Sequence, residues 1–578
     1  MTLGQASSRS RLVWETERCL LCEVPMQHLS ELVTRHAQWS ESKVAVSKWR
    51  PGGVFVEASY GALLRKARRL AALFARLAPP AAIVPMVTGR SADSIAAMLG
   101  AIAAARPFCF LNTKYRGPQI AAVLDATGSA LGVVDAAGLV TLRSARRDHP
   151  QIARMTWVVL EEPALAGIYA EAAEDLRRAA NVIFLCDEHE CADTWIERPP
   201  HAGANAAAAC LFTSGSTGQP KGVLISEADV MGRVAAEVNW YSLTQEDVLL
   251  NILPFSFDVG LNQLMTALAV GGEIVLLDSW LPADILATVE RRRVTGISAV
   301  PSIWQDMING GVHFDKGGRH ASLRYITISG GSLSPEYLQR LSSFMGGVAI
   351  FKTYGQTEAF RATSLRPEEY DKKLESVGRP FPGVRVYVVR DNCTRCEAGE
   401  GGEVVHTGLG MMMGYLDSRE AGTVPENKLR ANPFYGDDDP SPLAIFTGDM
   451  GYLDEDGYLF LRGRRDSMVK VMGNRVYPQE VTNQVLTVPD VREAVVAGVT
   501  GEDGQTNLVA FVRVSSGSNL TPGMVRKMLN AKLPTFMVPK EIVFVDRVPY
   551  TASGKPDHGK LVEGLAANGS RAATALTL

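Results

Sequence analysis

Cysteine is scarce in this chain, 8 residues in 578, which excludes a disulfide-stapled scaffold. Two pairs, Cys19-Leu-Leu-Cys22 and Cys393-Thr-Arg-Cys396, have the spacing of half a zinc site. They lie far apart in sequence, so buried or incidental thiols are the expectation for both, and Cys186 to Cys191 falls in a polar loop. Long apolar runs are missing too. Nothing approaches the ~18 uninterrupted residues of a membrane span, and the nearest stretch, Ala81 to Leu111, is broken by Arg90, Asp93 and Arg106. Residues Met1 to Glu15 lack the apolar core of a secretion signal. A dominant charge is absent as well: 59 Lys and Arg against 62 Asp and Glu give a net charge of −3 and no electrostatic case for a nucleic acid or a membrane surface as partner. A cytoplasmic protein is expected.

The composition that is present, 46% hydrophobic with 21% charged residues, is globular, and 578 residues exceed one ordinary domain. Helical periodicity at Met26 to Ala37, Tyr60 to Arg76 and Ser94 to Ala105 alternates with short apolar strands at Pro107 to Leu111, Ala130 to Asp135 and Val182 to Cys186. Glu227 to Trp240 reads as helix, with strands at Val248 to Phe255, Ile274 to Asp278, Ile297 to Pro301, Tyr325 to Gly331 and Val348 to Lys352. From Val384 to Gly457 short strands with glycine turns suggest a small β-barrel or distorted sheet. The expected fold is α/β: a large N-terminal domain of stacked α/β subdomains plus a small β-barrel, then a small mobile α+β C-terminal domain. The boundaries are an uninterpreted extension (1–28), the large domain (29–463), a hinge (464–466), the small lid domain (467–562) and a flexible tail (563–578).

The chain is organised around Thr213-Ser214-Gly215-Ser216-Thr217-Gly218-Gln-Pro-Lys221-Gly222. Glycines and hydroxyls beside a lysine form a collar of donors suited to a polyphosphate. The order G-x-x-x-x-G-K-[ST] fails, and Val223 to Ile225 reads as a second strand where that motif needs a helix. The loop is therefore expected inside a hairpin. Downstream stand Tyr354-Gly355-Gln356-Thr357-Glu358, Thr447-Gly-Asp449, Gly463-Arg464-Arg-Asp466 and Pro549-Tyr-Thr-Ala-Ser-Gly-Lys555.

In that order these segments resemble the signatures of the adenylate-forming superfamily of acyl-CoA synthetases, luciferases and peptide-synthetase adenylation domains, over about residues 30 to 562. His558 stands where many members have arginine, a departure expected to touch packing alone. The resemblance implies ATP and Mg²⁺ as cofactors. It implies Lys555 as the adenylation lysine, with Lys221 and the loop hydroxyls on the β- and γ-phosphates and Glu358 with Thr217 on the metal. Gly330 and Gly331 would border the nucleotide, Tyr354 would pack on adenine, and Gly355 and Gln356 would belong to the same site. Thr357 would meet the α-phosphate, and Asp449 and Arg464 the ribose. Asp466 is the implied hinge residue, about which the lid turns, and Gly473 leaves room for a pantetheine thiol.

The substrate is implied to be a small-molecule carboxylic acid bound near Asp258, Ser329, Thr353 and Arg361. Asp258, in Phe257-Asp258-Val259-Gly260, either pairs with an α-ammonium or caps a helix from Val259 to Leu268. Arg361 is expected to turn outward to a surface carboxylate. No phosphopantetheine attachment site follows Lys555, so the acceptor is expected in trans. The leading expectation is an amino acid loaded on a free-standing carrier protein. The alternatives are a coenzyme A ligase for a non-amino acyl or aryl acid, a luciferase-type oxygenase, and an inactive binding homologue.

Overall fold

The computed structural model describes residues 28–50, 52–160, 171–172, 174, 181–185, 203, 205–214, 220–310, 314–315, 317–331, 333, 335–416, 428–472, 474–500, 506–551 and 556–568. Three assemblies make up the larger part of the chain. An eight-stranded sheet runs in the spatial order Gly414–Tyr415, Pro220–Ser226, Ala207–Ser214, Phe108–Phe110, Val84–Val87, Leu131–Val134, Thr156–Val159 and Asn181–Phe184. From Ala207–Ser214 onward its neighbours are parallel. The first three strands are mutually antiparallel. A nine-stranded sheet has a parallel centre, Ala349–Gln356, Tyr325–Ile328, Gly296–Ala299, Val248–Asn251, Glu273–Leu276 and Val44–Arg50, with antiparallel edges. Parallel strands buried on both faces need helices on both sides. One apolar cluster joins the two sheets through the helices Leu29–Trp39, Tyr60–Leu77, Ala92–Ala103, Glu227–Trp240 and Asp258–Val270. The outer faces carry their own clusters. The stacked α/β expectation holds.

The third assembly is antiparallel: Val384–Val389, Gly402–Gly408, Leu443–Leu453 and Leu429–Ala431, with Leu459–Arg464 paired to Leu443–Leu453. Beyond it, Val491–Thr500, Thr506–Val514 and Glu541–Phe544 form a small sheet. The helices Pro478–Val485 and Pro522–Asn530 pack on it around a separate core that includes Val481, Val485, Val525 and Leu529.

Some strands are shorter than their apolar runs. Val248 pairs as far as Asn251, and Pro254 precedes the turn into the helix Asp258–Val270. Ile297 and Ile326 end their pairing at Ala299 and Ile328, and Pro301 starts a helix instead of closing a strand. Ala349–Gln356 runs the other way, past Lys352 through Tyr354 and Gln356, because Phe360–Leu365 folds back to pair with it. Among the described residues no helix is long and apolar enough to cross a membrane, and no group of three or more His, Cys, Asp or Glu could hold a metal ion. Cys393 and Cys396 are free thiols; Cys19, Cys22, Cys186 and Cys191 lie outside the described residues.

Candidate active site

The phosphate-loop hairpin is built by direct pairing: Phe212 faces Gly222, Thr213 faces Lys221 and Ser214 faces Pro220. Gly215, Ser216, Thr217 and Gly218, at its tip, lie outside the described residues, as do Lys555 and Gly473. Gly414–Tyr415 adds a third strand through the pair Tyr415 and Val223. The Lys221 ammonium stands 5.7 Å from the centre of the Tyr415 ring, and the Tyr415 hydroxyl donates to Glu358 Oε1 over 2.9 Å.

Glu358 sits in the turn after Ala349–Gln356 and is 8% exposed. Lys428 Nζ donates to its Oε1 over 2.8 Å and to Gln356 Oε1 over 3.0 Å. Burial alone would raise the Glu358 carboxyl, but Lys428, with help from Tyr415, holds it below the ordinary carboxylate range. A buried oxygen donor that stays ionised suits a hard divalent cation.

Asp449 gathers the other signature residues. It lies directly across from Arg464 in the pairing of Leu443–Leu453 with Leu459–Arg464. The Arg464 Nη1 donates to Asp449 Oδ1 over 3.1 Å and to the Thr447 carbonyl over 3.0 Å. On the other oxygen, the Tyr354 hydroxyl donates over 2.5 Å, and Gln356 Nε2 donates as well. Burial and the neighbouring Asp449 charge push the Tyr354 phenol well above its usual value, so it stays a donor. Arg464 also reaches Asp466 over 3.3 Å. Thr357 occupies the turn between Gln356 and Glu358.

Gly330 follows the strand Tyr325–Ile328 with φ +81, and a Cβ there would stand 3.3 Å from Phe257. Gly331 comes as close to Pro301, 3.2 Å. This is the carboxyl edge of the parallel strands, beside the point where Val248–Asn251 has its sequence successors on opposite sides, the place where open α/β sheets bind ligands.

Two expectations change here. Arg361 does not turn outward: it is 5% exposed and its Nε donates to Glu237, itself 3% exposed, on Glu227–Trp240. Its Nη1 donates to Ser329 Oγ over 2.9 Å and to Thr353 Oγ1 over 2.7 Å. Every residue of Phe360–Leu365 is buried, so an outward rotamer is not on offer. Burial would weaken the guanidinium's hold on its proton, but Glu237 more than restores it. Asp258 is not the cap either. Phe257 occupies the N-cap position without a side-chain bond, and Asp258 begins the helix, its Oδ1 accepting from the Val259 N–H over 2.8 Å. A first-turn carboxylate is favoured by the helix dipole. Its charge is also felt by Arg233 and Arg361.

Glu237, Tyr415 and Lys428 are site residues that motif reading misses. Glu237 and Tyr415 sit in segments that read as ordinary helix and strand, and Lys428 follows a polar stretch with no spacing signal.

Comparison with known proteins agrees with this geometry. The model of the AMP-binding enzyme family matches residues 33–416, and that of the AMP-binding enzyme C-terminal domain residues 480–555. The indoleacetate–CoA ligase of Aromatoleum aromaticum is 29% identical over 91% of this chain and 96% of its own length. Bacitracin synthase 3 of Bacillus licheniformis is 26% identical over 88% of this chain and 7% of its own length. The chain likewise spans about a tenth or less of the plipastatin and linear gramicidin synthase chains that it matches. The crystal structure of ATP-bound MatB from Rhodopseudomonas palustris superposes with a TM-score of 0.74 at 24% identity, over 93% of this chain and 99% of that one.

Proposed function

Because the chain belongs to the AMP-binding enzyme family, we propose that it is an AMP-forming ligase, one that joins a carboxylic acid to the α-phosphate of ATP, expels pyrophosphate and passes the acyl group to a pantetheine thiol. The observation that carries this is the convergence on Asp449 of Tyr354, Gln356 and Arg464 from separate strands. A carboxylate ringed by donors, with an aromatic ring beside it, suits a ribose and its base.

The attacking carboxylate is already ionised at neutral pH, so the chemistry needs no general base. What it needs is alignment and charge neutralisation at the phosphates. Lys555 would bridge the acid and the α-phosphate; Lys221 with Thr213, Ser214, Ser216 and Thr217 would steady the outer phosphates, Gly215 and Gly218 keeping the backbone close. Glu358 and Thr217 would hold Mg²⁺, which offsets negative charge on the phosphates. Thr357 meets the α-phosphate in this reading. Asp466 serves as hinge of the 467–562 lid, and Gly473 borders the thiol after rotation.

The finer reading is an amino acid loaded on a free-standing carrier protein, with Asp258 taking the α-ammonium. A second reading, transfer of a non-amino acid to coenzyme A, draws support from Arg233 and Arg361, whose charges already reach Asp258, and from the full-length match to a CoA ligase. ATP–pyrophosphate exchange across amino, aryl and fatty acids tests both. Magnesium-dependent exchange with at least one acid is expected, and amino acids in the lead would assign Asp258 its role. No exchange with any of them would overturn the ligase reading.

A further inference from the structure

At the carboxyl edge of the nine-stranded sheet, buried polar groups outnumber their partners. Asn262 is 2% exposed, and neither its amide oxygen nor its amide nitrogen has a hydrogen-bond partner. Thr327 Oγ1, on a fully buried residue, and the Tyr241 hydroxyl, 6% exposed as a residue, are likewise unpaired. Unpaired polar atoms are uncommon in native interiors, because each has given up its water for nothing.

These groups share one neighbourhood. Asn262 lies one helical turn after Asp258 and one before Thr266, on the same face. Thr266 Oγ1 donates to Glu237 over 3.1 Å, and Glu237 holds Arg361. Arg361 in turn bonds Ser329 and Thr353 at the ends of the central strands. Thr327 shares a sheet face with Tyr325, whose ring stacks on Tyr241 at 4.9 Å. Arg361 places Nε and Nη1 on Glu237, Ser329 and Thr353, while its Nη2 makes no hydrogen bond among the described residues.

We propose that the acid this enzyme activates is polar along its acyl part, carrying oxygen or nitrogen functions that complete Asn262, Thr327 and the open edge of Arg361, and that Asn262 is a specificity-determining residue. The inference rests on the adenylation reading and holds whether or not the acid bears an α-ammonium. A hydrocarbon chain in this place would leave every one of these groups unpaired. A site built to bond a polar substituent rejects the analogue that lacks it far more strongly than an apolar pocket rejects an added one.

The test is ATP–pyrophosphate exchange by the full chain on matched acids that share a skeleton and differ in one polar group: serine with alanine, 3-hydroxybutyrate with butyrate, 4-hydroxyphenylacetate with phenylacetate. In at least one pair the polar member is expected to have kcat/KM about a hundredfold higher or more. Asn262→Leu should narrow that ratio about tenfold or more by raising exchange with the hydrocarbon member. Thr327→Val, equal in shape, gives a second and independent reading should Asn262→Leu fail to fold. Preference for the hydrocarbon members, or ratios unmoved in both variants, would overturn this inference while leaving the ligase reading intact. Exchange with none of the acids would overturn both.

Discussion

Glu358 owes its charge to Lys428, and that dependence can be measured as a pH profile. The Glu358 carboxyl is buried, and burial favours the protonated form; Lys428 reverses the balance and holds the pKa below the ordinary glutamate value. A carboxylate depressed in the folded state contributes stability that is present above its unfolded value and is lost as pH falls through the folded one. In Lys428→Met the lowering cause is gone and burial remains, so the acid limb of ATP–pyrophosphate exchange should move to higher pH. At the optimum the rate should fall about tenfold or more, the worth of one charge-assisted bond. An unmoved acid limb would show that Lys428 does not set the Glu358 charge. Neither this pair nor Arg361 with Glu237 is legible in the sequence. The partners stand 70 and 124 positions apart, and each charged residue reads locally as an ordinary surface group. Asp449 and Arg464 are legible because both sit in short motifs, and strand pairing sets them face to face.

At the scale of elements, the hairpin Ala349–Gln356 with Phe360–Leu365 explains why glycine follows Tyr354. The pairing shifts register between Tyr354 and Gly355, and a Cβ at Gly355 would lie 1.7 Å from the Phe360 carbonyl oxygen. Backbone oxygen cannot yield as a side chain can. Gly355→Ala should therefore cost on the order of 3 kcal/mol in denaturant unfolding and weaken ATP binding by moving Tyr354 and Gln356 off Asp449. Unchanged stability with unchanged ATP affinity would contradict the bulge as the reason for the glycine. Elements whose limits are written in side chains were readable beforehand. Glu227–Trp240 begins where Ser226 caps it by accepting from the Asp229 N–H over 3.0 Å, and the hairpin around Lys221 follows from apolar runs on both sides of a glycine loop. Elements whose limits are set by a neighbour were not. The apolar run from Val248 to Phe255 carries no sign that pairing stops at Asn251, and the extension of Ala349–Gln356 past Lys352 depends on a strand that has yet to fold back.

Across the whole molecule, the small C-terminal sheet meets the rest of the chain on two sides, and the two contacts differ in kind. Near the proposed hinge the contact is steric: a Cβ at Gly463, whose φ is +149, would stand 3.1 Å from Tyr477. On the far side it is electrostatic. Asp306, on the helix Pro301–Asn309, feels the charge of Arg513, and Glu493 and Tyr550 in turn feel Asp306. Within the small sheet Arg513 pairs with Glu493 at 2.8 Å, and the Tyr550 hydroxyl donates to Glu493 over 2.9 Å. Tyr550 lies shortly before Lys555 in sequence, so whatever seats this cluster also seats the segment that delivers the lysine. A lid that turns between two half-reactions must leave such a contact cheaply, and an exposed charge contact worth about 0–1 kcal/mol meets that need where an apolar one would not. Asp306→Arg sets like charge against Arg513 and should disfavour this seating alone. Adenylate formation and thioester formation, measured separately, should then change by unequal factors, about two- to fivefold apart. The inequality should shrink in ~1 M salt, where screening acts within roughly 3 Å. Equal changes in the two steps, or a salt-independent difference, would mean that Asp306 takes no part in seating the lid.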